Sequence, residues 1–483
     1  MAPLVKKRKI YFDISSLVNY VFKIDRFSGI QRVLVNIIIG LKNYTNDVDV
    51  FVCFHERATN NYVCVNLVDF GVANLANPKA LRDALDIDGG RERTNIDVLF
   101  KYKSETLKYY FQRTKFDIFA LLSQKDRFVR FNMTPEMWLE KRFPRKRKNK
   151  LEKAPKNDFF ANCQPGEVMV NFDASWLPMH EKTFKRVKEA GITCYTLVYD
   201  LIPILMPNVT QGMMPLAFHS WLLNSAGYTT KYLSISNATK NDLLAFFKSY
   251  NLNFDVLTLP LVQQGIDNEI QPRKLGPLLE EVNKESYPFL CETAELSETV
   301  RHIATVPYVL CAGTIEARKN VWRIAHCWKM LLEKGNYNLP RLIFAGRKGW
   351  LIQSLEGLLS ATGNLYGWIE IVDSPSDEEL AFLYRNCKFT IMASLYEGWG
   401  LPVGEALSYG KTAVVSNCSS LPEVGGDLVE YCDPESIESI AAACERLIVD
   451  SAHLEQLEAK IRQARLRSWD DVCRELLEII ETD

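Results

Sequence analysis

From Phe389 the chain reads Phe-Thr-Ile-Met-Ala-Ser-Leu-Tyr-Glu-Gly-Trp-Gly-Leu-Pro-Val-Gly-Glu-Ala, so that Glu397 and Glu405 bracket a loop containing Gly398 and Gly400. An apolar run leads into the loop, and Pro402 stands where the first turn of a helix would begin. The first N–H groups of a helix lack internal partners and carry partial positive charge, which suits a phosphate. The two glycines let the backbone approach such a group closely, and the spacing expects both carboxylates to face one ligand, one from each side of its phosphate. The structural alternative is a helix-starting turn in which Glu405 only complements the helix dipole. Two other phosphate motifs fail here. Gly410-Lys411-Thr412 ends like a P-loop, but the earlier glycine is replaced by Glu405 and a strand follows. Gly398-x-Gly400-x-x-x-Gly404 is one residue too long for a dinucleotide fingerprint, and Ser416-Asn417 supplies no acid after the next strand.

The elements that must hold this loop alternate between strand and helix. Strands are predicted at 308–312, 341–345, 389–393 and 412–416, with helices at 320–334, 377–387 and 403–409. The first half shows the same rhythm: strands at 9–12, 50–54, 167–172, 194–199, 231–235 and 256–259, and helices at 30–41, 181–190 and 240–249. Such alternation predicts parallel sheets with helices on both faces, hence an α/β chain of two doubly wound domains facing a cleft. The polar stretch 266–306 reads as the linker. Residues from about 75 to 160 are charged and weakly periodic, and they include the basic run Lys141–Lys150.

With 483 residues, two domains are expected. The content is 47% hydrophobic and 24% charged, which excludes wholesale disorder. Lys+Arg 58 against Asp+Glu 59 excludes a global drive toward nucleic acid. The 12 cysteines are scattered without a C-x-x-C pair, as expected for reduced thiols in the cytoplasm. No signal peptide is expected from the first residues, and no apolar run reaches the length of a membrane span. The six histidines show no ligand spacing and read as structural. Asp47-x-Asp49 precedes a strand and Asp86-x-Asp88 lies in the weakly periodic region, so a metal site is not expected at either.

Glu397-x7-Glu405 around Gly-x-Gly-Leu-Pro resembles the signature of the retaining glycosyltransferases of family four, the group-one family with the GT-B fold. The strand and turn from Tyr308 through Gly313 to Glu316-Ala317-Arg318-Lys319-Asn320 resemble the same family, as do Leu342–Gly346 with Lys348-Gly349-Trp350, and Asp377–Leu380 before Leu383-Tyr384. These matches run in the family's order over about 300–470. In the first half, Ser28-Gly29-Ile30-Gln31-Arg32 resembles the glycine loop facing the donor diphosphate. Asp173-Ala174-Ser175-Trp176, Tyr199-Asp200-Leu201-Ile202-Pro203 and Ser234–Thr239 resemble segments of the bacterial polysaccharide-assembly subset. Many relatives carry His where Tyr199 stands, so a catalytic histidine is not carried over.

The resemblance implies an N-terminal acceptor domain over 1–270, a nucleotide-sugar domain over 300–465, and a final helix in 466–483 packing back on the first domain. It implies Lys319 and Arg318 as the cations on the leaving diphosphate, aided by the N–H groups of Gly400 and Leu401 and by the turns at Gly29, Gly313 and Gly398. Gly29 has a plain alternative as a tight-turn glycine. Glu405 would accept from the ribose, and Glu397 from a donor-sugar hydroxyl or act electrostatically. Asp200 is a further catalytic candidate, with Tyr199 and Trp176 on the acceptor side. The implied activity is retaining transfer of a hexose, first mannose from GDP-mannose and next rhamnose or another deoxy sugar, to a glycan or lipid-diphosphate-linked acceptor in bacterial surface polysaccharide synthesis. No cofactor and no metal are expected. The basic run is either a solvated loop or a peripheral contact with anionic lipid on the inner membrane. Competing readings are a nucleotide-sugar epimerase or hydrolase, which needs no acceptor, and a silent partner subunit, which has no chemical reason to keep Glu397, Glu405, Arg318 and Lys319 together.

Overall fold

The structure, a computed structural model, describes residues 7–22, 24, 26–56, 61–85, 107–124, 135, 138–139, 156–174, 176, 178–265, 296–335 and 338–482. The basic run 141–150, Asp86-x-Asp88, Ser175 and most of the expected linker lie outside these residues.

Two sheets carry the chain. The first has the order β4-β3-β2-β1-β5-β6-β7-β8, with β1 Arg8–Asp13, β2 Val48–His55, β3 Tyr62–Asn66, β4 Asn157–Asp158, β5 Val168–Asn171, β6 Thr193–Val198, β7 Lys231–Ser234 and β8 Val256–Thr258. The second has the order β11-β10-β9-β12-β13-β14, with β9 Tyr308–Ala312, β10 Arg341–Ala345, β11 Ile369–Val372, β12 Thr390–Met392, β13 Ala413–Ser416 and β14 Glu430–Cys432. Strands such as β5 and β9 are buried along their whole length, the run expected when helices cover both faces.

The second sheet is parallel throughout. The first departs from the wholly parallel expectation at one edge, where β3 pairs antiparallel with both β2 and β4. Only six residues separate β2 from β3, too few for the crossover a parallel pair requires. The region 75–160, weakly periodic in sequence, contains the helices Pro78–Ala84 and Leu107–Leu121. The final helix, Trp469–Glu481, lies on helix Gly29–Gly40, with Cys473 Sγ 3.4 Å from the Ile37 carbonyl. One apolar core runs through the first sheet and into the contact between domains, where Leu261 and Val262 meet Trp399, Val403 and Leu407. Among the described residues no helix is long and apolar enough to cross a membrane.

Each sheet reverses its winding once. After β1 and β2 the chain returns to the other side of β1 as β5, and after β9, β10 and β11 it returns beside β9 as β12. Loops leaving adjacent strands at such a point diverge and open a crevice at the carboxyl ends. The loops from β9 and β12 carry the two C-terminal motifs singled out above.

Candidate active site

β9 ends at Gly313, whose φ of +113° suits glycine and turns the chain away from the sheet. The side chain of Lys319 folds back over it: a Cβ at Gly313 would stand 3.1 Å from Lys319 Cε. Asn320 holds the returning loop in the left-handed conformation (φ 59°), and its Nδ2 donates to the carbonyls of Ala393, 2.9 Å, and Pro434, 2.7 Å. Leu395 N–H donates to the Arg318 carbonyl at 2.9 Å. These bonds splice the β9 loop to the β12 loop, so residues almost 80 positions apart become neighbours.

At the splice, Glu397 Oε1 lies 2.7 Å from Arg318 Nη1 and 3.1 Å from Lys319 Nζ. Arg318 also reaches Glu316 Oε1 at 2.6 Å and donates to the Tyr396 carbonyl at 2.7 Å. Burial alone would raise the Glu397 carboxyl, but Arg318 first and Lys319 next hold it down at about 2. The Arg318 guanidinium, although buried, is held firmly protonated by Glu397 and Glu316. Glu397 N–H donates to Ser419 Oγ, while Ser420 Oγ donates to the carbonyls of Glu397 and Trp399.

The next turn of the loop meets the other domain. A Cβ on Gly398 would collide with the Tyr199 carbonyl oxygen and stand 3.1 Å from Asp200 Cβ, so glycine is required by the facing domain. Gly400, at φ +106°, caps helix Leu401–Ser408, with Leu401 and Pro402 in its first turn. The Trp399 indole donates to the Val262 carbonyl across the interface at 2.9 Å. Asp200 follows β6 and accepts from Ile202 N–H at 3.0 Å; burial raises its carboxyl to about 6, against the pull of Arg318.

The two loop carboxylates do not share a partner. Glu405 faces Arg32, 3.1 Å from its Nη2, and accepts from Tyr384 OH at 2.8 Å. Arg32 sits in the first turn of helix Gly29–Gly40, so this pair joins the two domains. Gly29 opens that helix after Ser28, and so is not the tight-turn glycine of the plain alternative. Among the described residues, apart from its chain neighbours and its own helix backbone, nothing lies within 4 Å of where its Cβ would be. Tyr199 donates its hydroxyl to the Phe172 carbonyl at 2.7 Å, while Trp176 packs its ring against Phe218 and Trp221.

Glu397, Arg318, Lys319 and Asp200 are thus gathered at one place, with Gly313, Gly398, Gly400 and Leu401 shaping it. Glu405 forms a second contact with Arg32. Four contributors had no assigned role in the sequence: Arg32, Glu316, Asn320 and the Ser419-Ser420 pair. Glu316 and Asn320 stood inside a quoted motif, and Arg32 inside the glycine-loop string. Their partners are distant in sequence, so their types alone gave no role.

Residues 293–465 match the family described as glycosyl transferases group 1. A stretch of 165 residues is 35% identical to the O-antigen chain mannosyltransferase B of Escherichia coli, covering 34% of this chain and 43% of that protein. Another of 197 residues is 25% identical to the serotype-specific mannosyltransferase WbdA of Escherichia coli, covering 40% of this chain and 24% of the relative. The matched stretches therefore span less than half the length of these relatives. Over nearly the whole chain, the fold is similar to a glycosyltransferase from Rickettsia africae (14% identity, TM-score 0.51, 99% of this chain and 98% of that one). It is also similar to the structure described as trehalose-6-phosphate from E. coli bound with UDP-2-fluoro glucose (11% identity, TM-score 0.54, 98% and 99%). The chain has the GT-B fold, and residues 293–465 within it are similar to the group 1 glycosyl transferases.

Proposed function

We propose that the chain is a retaining glycosyltransferase that moves mannose from GDP-mannose to a glycan or lipid-linked glycan in bacterial surface polysaccharide assembly, without a metal ion. The observation that carries this reading is the convergence of Arg318 and Lys319 on Glu397 beside helix Leu401–Ser408, against the facing domain. The names of the mannosyltransferase relatives support the choice of sugar.

In this reaction the bond from the anomeric carbon to the diphosphate oxygen breaks, and its electron pair leaves with the nucleoside diphosphate. A new bond forms from that carbon to an acceptor hydroxyl oxygen. The charge growing on the leaving group is met by Lys319 as a point charge and by the planar fork of Arg318. The N–H groups of Gly400 and Leu401 add to it. Glu397 keeps both cations charged and in place, and accepts from the donor sugar. Asp200, raised toward neutrality, takes the acceptor proton. Glu405 receives the ribose hydroxyls, and the uncrowded start of helix Gly29–Gly40 leaves room for the diphosphate. The acceptor approaches from the N-terminal domain and is membrane-borne when lipid-linked.

Thermal shift against GDP, UDP, ADP and dTDP, with and without EDTA, tests the donor. GDP at a hundred times its dissociation constant should add about 2.7 kcal/mol, regardless of EDTA. Lys319→Ala should abolish both that shift and mannosyl transfer while leaving the fold intact. Unchanged transfer would overturn the assignment of the donor site. Product formation from donor alone would point to a hydrolase or epimerase instead.

A further inference from the structure

A pocket of about 390 Å³ opens where residues 210–212 of the N-terminal domain meet residues 348–353 of the C-terminal domain. That volume is within the range of small-ligand clefts, about 300–1,000 Å³. Each wall is joined to one half of the candidate active site. Gly349 N–H donates to the Ile315 carbonyl at 2.8 Å, and Ala317 N–H donates to the Trp350 carbonyl at 3.3 Å. A Cβ at Gly349 would stand 3.1 Å from the Cβ of Glu316, the partner of Arg318, so this wall lies directly on the Arg318 turn. The opposite wall continues the stretch that begins at Asp200 after β6. The Trp350 indole spans the two walls by donating to the Val209 carbonyl at 2.9 Å. Leu351, a lining residue 45% exposed, has φ +58°, a conformation that residues with a Cβ rarely adopt and that clusters at functional sites.

The lining selects the chemistry of its occupant. Among the described residues its charged side chains are Lys348 and Glu356, which pair with each other at 3.3 Å and leave no net charge for a phosphate or carboxylate. Thr210 donates its hydroxyl to the Met206 carbonyl at 3.1 Å and therefore offers the pocket an acceptor. The carboxamides of Gln211 and Gln353 have no partner among the described residues, and each offers both donors and an acceptor. Trp350 adds an indole surface. Neutral groups of both hydrogen-bonding senses beside an aromatic ring suit a sugar, whose hydroxyls donate and accept and whose ring C–H groups are apolar. That sugar is not the donor's. The donor is assigned above to Lys319, Glu397, Glu405 and helix Gly29–Gly40, none of which lines this pocket.

We propose that this pocket holds a sugar unit of the acceptor chain, a unit earlier in that chain than the one whose hydroxyl reacts beside Asp200. The proposal rests on the glycosyl-transfer reading above and gives the acceptor a second point of contact, which a single sugar cannot use while it reacts. Glycan binding needs neither donor nor turnover, so the donor assignment and this pocket can fail separately.

The test is isothermal titration of the full chain, without donor, against linear α-mannotetraose and against methyl α-mannoside. The tetrasaccharide should bind more tightly than the single sugar. Gln211→Ala and Gln353→Ala, both at exposed positions, should each weaken the tetrasaccharide about tenfold, and the double variant should weaken it further. In transfer from GDP-mannose, the same variants should raise KM for mannotetraose. They should leave kcat, KM for methyl α-mannoside and the dissociation constant of GDP within about twofold. Mannotetraose that binds no better than methyl α-mannoside, or equally well to the double variant, overturns the proposal. Variants that weaken GDP instead assign the pocket to the donor and overturn it too. Glycan binding that persists in a wild-type protein indifferent to GDP overturns the donor reading alone.

Discussion

Each sheet places acidic side chains where its winding reverses, and the two clusters end up doing opposite things. In the N-terminal domain Asp13 ends β1 and Asp173 follows β5, next to the reversal between those strands. There the crevice is filled. Asp173 accepts from Leu17 N–H at 2.6 Å and from Ala174 N–H at 2.7 Å, Asp13 accepts from Ser15 and Tyr62, and His180 stands 3.5 Å from Asp13. Ser16 donates its hydroxyl proton to the Ala174 carbonyl, so His180 Nε2, 3.0 Å away, must donate to Ser16. Nδ1 then faces Asp13 Oδ2 at 3.5 Å, where a protonated ring forms an ion pair with the carboxylate. Accordingly, although burial disfavours both charges, Asp13 holds His180 above the usual histidine range and His180 holds Asp13 below the usual carboxylate range. In the C-terminal domain the partners are two cations and the opposite domain. The same position in the same kind of sheet becomes an internal strut when short side chains and a helix start close it. It becomes the candidate site where glycines let Lys319 and the facing domain pack closely against the loops.

Swapping single residues should separate the two most strongly. Asp13→Ala leaves His180 buried without its counter-ion and should cost about 3–5 kcal/mol of stability, read from urea midpoints. Glu397→Gln should also cost stability, because it leaves buried Lys319 without this carboxylate and Arg318 with Glu316 alone, but its signature should be a fall in kcat/KM of about 10²–10³-fold. If Glu397→Gln unfolds the protein and leaves the surviving activity unchanged, the C-terminal cluster is a strut as well.

The pH response should differ in sign. Burial, with the charge of Asp13 adding to it, raises Asp173 to about 7 from an ordinary 3.8. The folded state therefore holds the proton longer than the unfolded chain, and stability is lost as pH climbs from about 4 to 7, by at most about 4 kcal/mol. The raised His180 acts in the same sense, its contribution present below 6.5 and lost above. Glu397, held at about 2, contributes stability above 4.5 that is lost as pH falls toward 2. Asp173→Asn should flatten the loss between pH 4 and 7, and Glu397→Gln the loss below 4.5. Urea midpoints across pH that stay parallel to wild type would remove both assignments.

Asp200 tests whether the facing domain takes part in chemistry. With its carboxyl at about 6, the active base is the ionised form. Thus kcat/KM should rise with pH through about 6 and then level. Asp200→Asn should erase that limb and lower the plateau roughly a hundredfold. A retained limb would assign the titration to another group.

The fold was legible because strand–helix alternation records burial directly, and the strands β9 and β10 were read to the residue. β3, β11 and β14 were not read: each is three to five residues long, and β3 belongs to an antiparallel edge whose pairing is set by its neighbours. In the C-terminal cluster Arg318, Lys319 and Glu397 were named through the family resemblance, which carries them in short continuous motifs that each include a glycine turn. The partners Glu316 and Arg32, and the whole Asp13–His180 pair, depend on which loops meet across the sheet, and residue type alone carries no record of that.

Tyr199 is where this difference gives its smallest and most specific consequence. The sequence placed it on the acceptor side, beside Asp200, at a position where many relatives carry histidine. Its ring leads the hydroxyl back into its own domain, where it donates to the Phe172 carbonyl, and burial lifts that hydroxyl well above the ordinary tyrosine range. A hydroxyl so committed neither gives nor takes a proton near neutral pH. What the position offers the cleft is its backbone, since the Tyr199 carbonyl is what Gly398 must fit against. Tyr199→Phe should therefore cost about 1 kcal/mol of stability, the worth of one hydrogen bond, and leave kcat/KM within about twofold. Gly398→Ala changes no reacting group, yet it should damage turnover far more, because its methyl meets that carbonyl and forces the domains apart. If Tyr199→Phe proves the more damaging of the two, the hydroxyl takes part in the chemistry, and the boundary between strut and site has to be moved to include it.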